Sequence, residues 1–250
     1  MSDVKNIKKA TEILKNSEKI VAFTGAGAST ESGISDFRSE GGLWARYDPS
    51  IYASYHYFLE DPSKFWTMHN ELVDIIVNTK PNQIHYVIVE LEKLGKMNAI
   101  ITQNIDGLHQ LAGSGTYNNI PIYELHGSYE KLECIRCKKE FFFEEVETKN
   151  VKYPVCECGG YIKPKVVLFG ESLRPSVLER AKNACRSCDC LMMIGSSLII
   201  SPANYFPSIA KESGAKVIFI NRDHTAMDNI ADIFLKGSGG DILSELIQRL

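Results

Sequence analysis

The sequence predicts an α/β fold, a doubly wound parallel sheet carrying a small inserted lobe. Three observations predict it. Short apolar runs with little alternation recur along the chain: IVAF at 20–23, AIIT at 99–102, VVLF at 166–169, LMMI at 191–194 and VIFI at 217–220. Such runs suit strands buried on both faces, as in a parallel sheet. Helical patterns stand between several of them, which is the rhythm of βα units. The first run also enters Gly25-Ala26-Gly27, a turn that lets a ligand come close to the backbone.

Taken in order, Val4, Ile7, Thr11 and Leu14 fall at helical spacing behind a Ser2 cap, so a helix comes first. IVAF follows as a strand. Residues 39–95 carry no core strand. They hold two helical patterns instead, Phe65, Trp66, His69, Leu72, Val73 and Ile76, then Val87, Ile88, Leu91 and Leu94, stopped by Gly95. AIIT and IPIYEL read as strands. Residues 128–164 hold paired cysteines around a charged middle. After VVLF, a helix over 174–187 buries Val177, Leu178, Ala181 and Ala184, and further helices are expected over 203–213 and 242–250. The implied organisation is a Rossmann-like domain from 1–38, 96–127 and 165–250. A helical insertion with a cofactor-binding loop occupies 39–95 and a zinc-ribbon module 128–164, the two together making the smaller lobe.

At 250 residues, 44% hydrophobic, 24% charged and a net charge of −3, the chain reads as a globular protein with no general attraction to nucleic acid or anionic membrane. No apolar run approaches the roughly 18 residues of a membrane span. The first residues are polar and unlike a signal peptide, so the expected setting is cytoplasmic.

Cys134-x2-Cys137 and Cys156-x-Cys158 are two tight pairs, eighteen residues apart. Each pair offers two thiolates to a tetrahedral zinc ion, and Gly159-Gly160 supplies a turn to absorb the short second spacing. With no histidine beside them, the site is expected to be closed and structural. From Tyr129 to Lys165 there are 8 Lys/Arg and 7 Asp/Glu, a poor footprint for phosphate. That weighs against a nucleic-acid-binding ribbon. Cys185, Cys188 and Cys190 lie at a helix end and a strand start, and are expected to pack in the core.

Polar residues follow four of the strands: Gln103-Asn104-Ile105-Asp106, His126-Gly127-Ser128, Gly195-Ser196-Ser197 and Asn221. A polar side chain past a strand also serves as a helix cap. Four such ends in one sheet favour a shared crevice. The amide, carboxylate and histidine suit holding sugar hydroxyls and taking a proton near neutral pH. Taken alone, His126 reads as a hydrogen-bonded buried histidine, and the other histidines (56, 69, 85, 109, 224) lack comparable company. A dehydrogenase would show a complete glycine fingerprint, but Thr30 stands where the third glycine belongs, and no acidic residue is evident about 20 residues on.

GAGAST-ESGISDFR, TQNIDGLH, HGS, the paired cysteines, VVLFGE, GSSL and the late Asn221 resemble the sirtuins, in the family's order, from about residue 20 to 245. The resemblance implies an NAD-dependent protein deacylase that consumes NAD, giving nicotinamide, an acylated ADP-ribose and free lysine. It implies that Gly25, Ala26, Gly27 and Ser29 cradle the diphosphate through backbone amides and a hydroxyl. Asp36, Phe37 and Arg38 would close over NAD. Gln103, Asn104, Ile105 and Asp106 would form the ribose and nicotinamide pocket. Gly195, Ser196, Ser197 and Asn221 would hold the adenosine half, with Gly239 near the adenine. Val167, Phe169, Gly170 and Glu171 would pair with an acyl-lysine peptide by strand addition. His126 would be the general base, with Asn104 and Asp106 also catalytic, and the four cysteines the ligands of one structural zinc. Protein ADP-ribosyl transfer at the same site is the alternative. Two departures matter. Ser35 stands where the family often has proline, which leaves that loop looser. The stretch Trp66-Thr67-Met68-His69 lacks the Tyr-x-x-Arg pair of members that remove acidic acyl groups, so neutral acyl groups are expected.

Overall fold

The computed structural model describes residues 4–36 and 42–250. Six parallel strands form the main sheet: β1 (Ile20–Thr24), β2 (Met97–Thr102), β3 (Ile122–Glu124), β7 (Cys190–Ile194), β8 (Lys216–Asn221) and β9 (Ile233–Lys236). Their spatial order is β3-β2-β1-β7-β8-β9. The chain therefore winds outward in one direction from β1 and in the other from β7. A crevice opens at the carboxyl ends of two strands where the winding reverses, and ligands bind there in open α/β sheets. Three further strands, β4 (Gly127–Cys134), β5 (Glu140–Phe142) and β6 (Ile162–Val166), form a small antiparallel sheet.

Four of the unalternating runs, IVAF, AIIT, LMMI and VIFI, are buried on both faces. On β1, Ile20 and Ala22 join one core while Val21 and Phe23 join the other. The first core is covered by α1 (Val4–Asn16), α6 (Gln83–Lys93) and α10 (Gly239–Ile247), the second by α8 (Pro175–Ser187) and α9 (Phe206–Glu212). Cys185, Cys188 and Cys190 lie in these cores, and burial pushes the Cys188 thiol up to about 12, so they pack rather than bind or react. On α1, Ile7, Thr11 and Leu14 are buried but Val4 is 62% exposed, and the expected Ser2 cap lies outside the described residues. Residues 203–205 form a tight 3₁₀ turn before α9, so the helix expected over 203–213 begins later. α10 begins earlier than expected, with the Ser238 hydroxyl accepting from the Asp241 amide at 3.3 Å.

The short helices α2 (Leu43–Arg46), α3 (Pro49–Tyr52) and α4 (Tyr55–Glu60) lead into α5 (Ser63–Val77), and α7 (Leu108–Ala112) follows β2. Phe58, Phe65, Trp66 and Leu72 share a third core with Leu132, Cys134, Cys156 and Ile162, so the helical insertion and the cysteine module form one small lobe. Two expectations are corrected here. The second helical pattern of 39–95 does not join that lobe: it is α6, and Ile84, Val87, Ile88 and Leu91 pack on the parallel sheet. VVLF is not a strand of the main sheet either. Its Val166 ends β6 in the small sheet, and Phe169 makes only an isolated bridge to Ser54. Val166 and Leu168 are buried but Phe169 is 44% exposed, so an unbroken apolar run does not by itself establish burial on both faces or membership of the parallel sheet. β9 escapes sequence reading because Ile233-Phe234-Leu235 is too short a run and alternates in burial at the sheet edge. Among the described residues no helix is long and apolar enough to cross a membrane.

Candidate active site

A cavity of about 1090 Å³ lies between the strand ends of the main sheet and the small lobe. Its floor is built where β1 and β7 end side by side. The Gly25 amide donates to the Ile194 carbonyl at 3.1 Å and the Gly27 amide to the Gly195 carbonyl at 2.8 Å. The two turns touch so closely that a Cβ on Gly27 would stand 2.7 Å from Gly195 Cα. Gly195 itself has φ +63°, a left-handed conformation suited to glycine. The amides of Gly25 and Gly27 therefore do not face a ligand, contrary to expectation. These glycines let two loops meet, and the meeting leaves the cavity open above Ala26.

Beyond β2, Gln103, Asn104 and Ile105 line the cavity. Gln103 Nε2 donates to the Ser196 hydroxyl at 2.8 Å, tying the β2 and β7 loops across β1. Asn104 is buried, and its Nδ2 donates to the Gly25 carbonyl and to Ser29 Oγ, both at 3.1 Å. Ser29 in turn donates to Asp106 Oδ2 at 2.6 Å. Asp106 lies one layer deeper, in the wall of a side pocket of about 20 Å³ that Asn104, Ile105 and Ser35 share. Burial pushes its carboxyl above the usual range, against the pull of the Ser29 hydroxyl and the Leu108 amide.

His126 stands in the cavity wall just before β4. Its Nδ1 lies 2.9 Å from the Gln103 carbonyl, which can only accept, so Nδ1 carries the proton and Nε2 keeps its lone pair. Burial lowers its pKa below the imidazole value of 6.5, and the bond to Gln103 opposes this in part. The ring is neutral at pH 7, as a general base must be.

On the far side, Ser196, Ser197 and Asn221 line the cavity with Gly239 at the start of α10. Asn221 Nδ2 donates to the Ser196 and Asp223 carbonyls at 3.2 and 2.9 Å. Asp36 also lines the cavity, while Phe37 and Arg38 lie outside the described residues. Val167, Phe169, Gly170 and Glu171 form another wall. Two stretches that no local motif marks complete it. Trp44, Phe65, Met68 and Leu72 give it an apolar end, and Ile199 and Pro202 border it after β7. Packing brings them there; only the helix of Phe65 and Met68 is signalled in the sequence, through the stretch Trp66-Thr67-Met68-His69 where the family resemblance places acyl selection.

The four sulfur atoms of Cys134, Cys137, Cys156 and Cys158 lie within 4.8 Å of one another, with Cys134–Cys158 at 3.5 Å and Cys137–Cys156 at 3.7 Å. Tetrahedral zinc with Zn–S bonds of about 2.3 Å sets its sulfurs about 3.8 Å apart, so the donor set fits zinc. Gly159, with φ +77°, closes the second turn, its amide donating to the Cys156 carbonyl at 2.7 Å. The short C-x-C spacing is absorbed there. Among the described residues no histidine joins the cluster, which leaves no open position for catalysis.

Comparison with known proteins places this arrangement. The model of the Sir2 family matches residues 25–202. The chain belongs to the Sir2 family. It is 45% identical over 248 residues to NAD-dependent protein deacylase 2 of Archaeoglobus fulgidus, covering 98% of this chain and 96% of that protein. It is 45% identical to the NAD-dependent protein deacetylase of Sulfurisphaera tokodaii, covering 91% and 89%. Among solved structures, a Sir2 enzyme described in a study of mechanism and regulation superposes with a TM-score of 0.90 at 43% identity, covering 98% and 97%. A Sir2–p53 peptide–NAD+ complex superposes at 0.88 with 33% identity, covering 97% of each chain. The family read from the motifs is therefore borne out, as are the Sir2 fold and a cysteine cluster fit for zinc.

Three other buried histidines have consequences for stability as a Sir2 protein. Burial lowers His69 to about 3, with the Lys163 charge adding to the effect; it lowers His85 to about 4 and His109 well below 6.5. Below pH 6.5 the unfolded chain binds protons on these rings that the folded chain does not, so stability rises with pH across this range. The melting temperature is expected to fall steadily as pH drops from about 7 to about 5, and each His→Asn variant should flatten that slope. A melting temperature constant over this window would contradict the burial argument.

Proposed function

We propose that this Sir2 chain is an NAD-dependent protein-lysine deacylase. It uses NAD as co-substrate to give nicotinamide, O-acyl-ADP-ribose and free lysine. The observation that carries the reading is His126, neutral and fixed by Gln103 with Nε2 unprotonated, in a cavity joining the strand-end crevice to an apolar end. NAD, when bound, supplies an electrophilic ribose carbon that makes the stable amide breakable in stages. The chain's residues do the rest. Gln103, Ser196, Ser197 and Asn221 would bind and orient the dinucleotide, with Gly25, Ala26, Gly27, Gly195 and Gly239 shaping its bed. Asp36, Phe37 and Arg38 would cover it. Asn104 would orient the reacting ribose and Ile105 would wall the nicotinamide pocket. Asp106 would act through Ser29, which holds Asn104. His126 Nε2 would take the proton from a ribose hydroxyl. Val167, Phe169 and Gly170 would seat the peptide, whose acyl-lysine would reach in toward Phe65, Met68 and Leu72. One zinc on Cys134, Cys137, Cys156 and Cys158 would hold the small lobe. We assign the protein to the cytoplasm, since all seven cysteines are free of disulfides, and expect no direct partner among nucleic acids. Protein ADP-ribosyl transfer, the alternative, is disfavoured by relatives named as deacylases. ADP-ribose left on protein would mark it.

The direct test is mass spectrometry of nicotinamide and acyl-ADP-ribose released from an acetyl-lysine peptide. Among the described residues the apolar end offers no arginine, so an acidic acyl group would be buried there without a partner. Acetyl-lysine peptides are expected to exceed succinyl-lysine peptides in kcat/KM by at least about tenfold, and succinyl as the better substrate would refute this. The base must be neutral, and burial depresses its pKa. Activity is therefore held above the folded pKa and lost as pH falls through it, so the acid limb of kcat/KM, which reports the free enzyme, should lie below pH 6.5.

A further inference from the structure

Residues 166–171 run from the end of β6 past His126, and their backbone is held from the inner side almost bond by bond. The Val167 amide donates to the His126 carbonyl at 2.8 Å. The Phe169 amide donates to the Ala53 carbonyl at 2.8 Å, and the Tyr55 amide to the Phe169 carbonyl at 3.0 Å. One ion pair adds side-chain hydrogen bonds to the same segment. Lys163 Nζ donates to the Val166 carbonyl at 2.6 Å and to Glu171 Oε2 at 2.9 Å. The same Oε2 accepts from the Leu168 amide at 2.8 Å, and the Glu171 amide donates back to the Leu168 carbonyl at 3.0 Å.

Lys163 is only 9% exposed. A buried lysine–glutamate pair is not in itself more stable than apolar residues of the same size. What it supplies here, and apolar residues could not, is direction. It makes two charge-assisted bonds to the backbone of one short segment that is tied at its next residue to His126.

We infer that Lys163 and Glu171 are positioning residues for the peptide substrate: their pair fixes the 166–171 backbone against His126, so that an acyl-lysine peptide meets a preformed edge. This rests on the deacylase reading. It also changes the part taken by Glu171, whose Oε2 already serves Lys163 and Leu168, so that it acts on the peptide through the backbone. Lys163 does not line the cavity, and Glu171 lines the wall assigned to the peptide rather than the strand-end turns where the dinucleotide would lie, so the effect should fall on the peptide.

The test compares wild type with Glu171→Gln and with the double variant Lys163→Met/Glu171→Gln. The double variant removes both charges together and leaves none buried alone. With an acetyl-lysine peptide, KM for the peptide is expected to rise at least about tenfold in the double variant, as for loss of charge-assisted bonds. The Kd for NAD, measured by calorimetry, should change less than about threefold. Glu171→Gln should fall between in peptide KM, because Lys163 still donates to the Val166 carbonyl, while the Lys163 charge left without its carboxylate should show as lower thermal stability. An unchanged peptide KM in the folded, zinc-loaded double variant would overturn the inference, and so would an equal loss of NAD affinity. If the double variant does not fold, hydrogen exchange in wild type decides. A Leu168 amide slow to exchange without peptide supports the inference, and exchange at free-loop rates overturns it. Wild type that turns over no acetyl-lysine peptide would overturn the deacylase reading itself; turnover with a peptide KM indifferent to the pair overturns only the positioning role.

Discussion

His126→Ala is expected to reduce deacylation of an acetyl-lysine peptide by about 10² to 10⁴-fold, the usual contribution of a positioned general base. The reason is local. Nδ1 is bound to the Gln103 carbonyl, so the ring is held in one tautomer with Nε2 as the basic atom, and burial keeps that atom unprotonated at neutral pH. Removing the imidazole removes the acceptor for the ribose proton. It leaves the floor of the crevice in place, because Gly25, Gly27 and Gly195 meet through backbone contacts. NAD affinity by calorimetry should therefore stay within about threefold, and zinc content should be unchanged. His126→Asn is the finer control. Its amide can replace the bond to Gln103 but cannot take a proton, so it should be as inactive as the alanine variant. Full activity in either variant would remove His126 from the chemistry.

The second large effect concerns the cysteines. Cys134 is fully buried and belongs to the same core as Leu132, Ile162, Phe65 and Leu72. The loss of zinc therefore should not stop at the metal site. The folding free energy of such modules is largely metal-binding free energy. The core it supports also forms the apolar end of the cavity. One zinc per chain is expected by elemental analysis, and Cys134→Ala or strong chelation should abolish both zinc and activity. The main sheet has its own two cores and should keep its helical and strand signal by circular dichroism. Substituting Cys188, which is buried outside this cluster, should leave zinc content at one per chain. A metal-free protein with full activity would refute the structural role. Partial activity with an intact small lobe would show that the antiparallel sheet, where β4 and β6 pair over Leu132–Cys134, is enough by itself.

What sequence could reach follows from the range over which each signal acts. The strands β1, β2, β7 and β8 were legible because a strand buried on both faces is almost wholly apolar, and this leaves a short apolar run, ended by a threonine in β1 and β2. The cysteine pairs were legible because a tetrahedral ion constrains spacing directly. Where a signal is local but its partner is distant, the reading fell short. VVLF shows apolar burial but not that β4, rather than the parallel sheet, pairs with its first residue. α6 shows one apolar stripe but not that the stripe meets α10 and the sheet. Gly25 and Gly27 show a need for close approach, and only the tertiary structure shows that what approaches is the Gly195 turn.

The same division runs through the active site. Sequence alone determined which strand ends carry polar groups, the histidine that could act as a base and the cysteines that could hold zinc, because each depends on residue type at short range. The tertiary structure decided the state and direction of those groups. It fixed the tautomer of His126 through Gln103, placed Asp106 behind Ser29 rather than on the main cavity, and brought Phe65 and Leu72 to the apolar end. It also set Lys163 and Glu171 behind the peptide wall. Charge state, tautomer and approach depend on distances of a few ångströms between residues far apart in the chain, and those distances exist only once the two lobes have closed around the crevice.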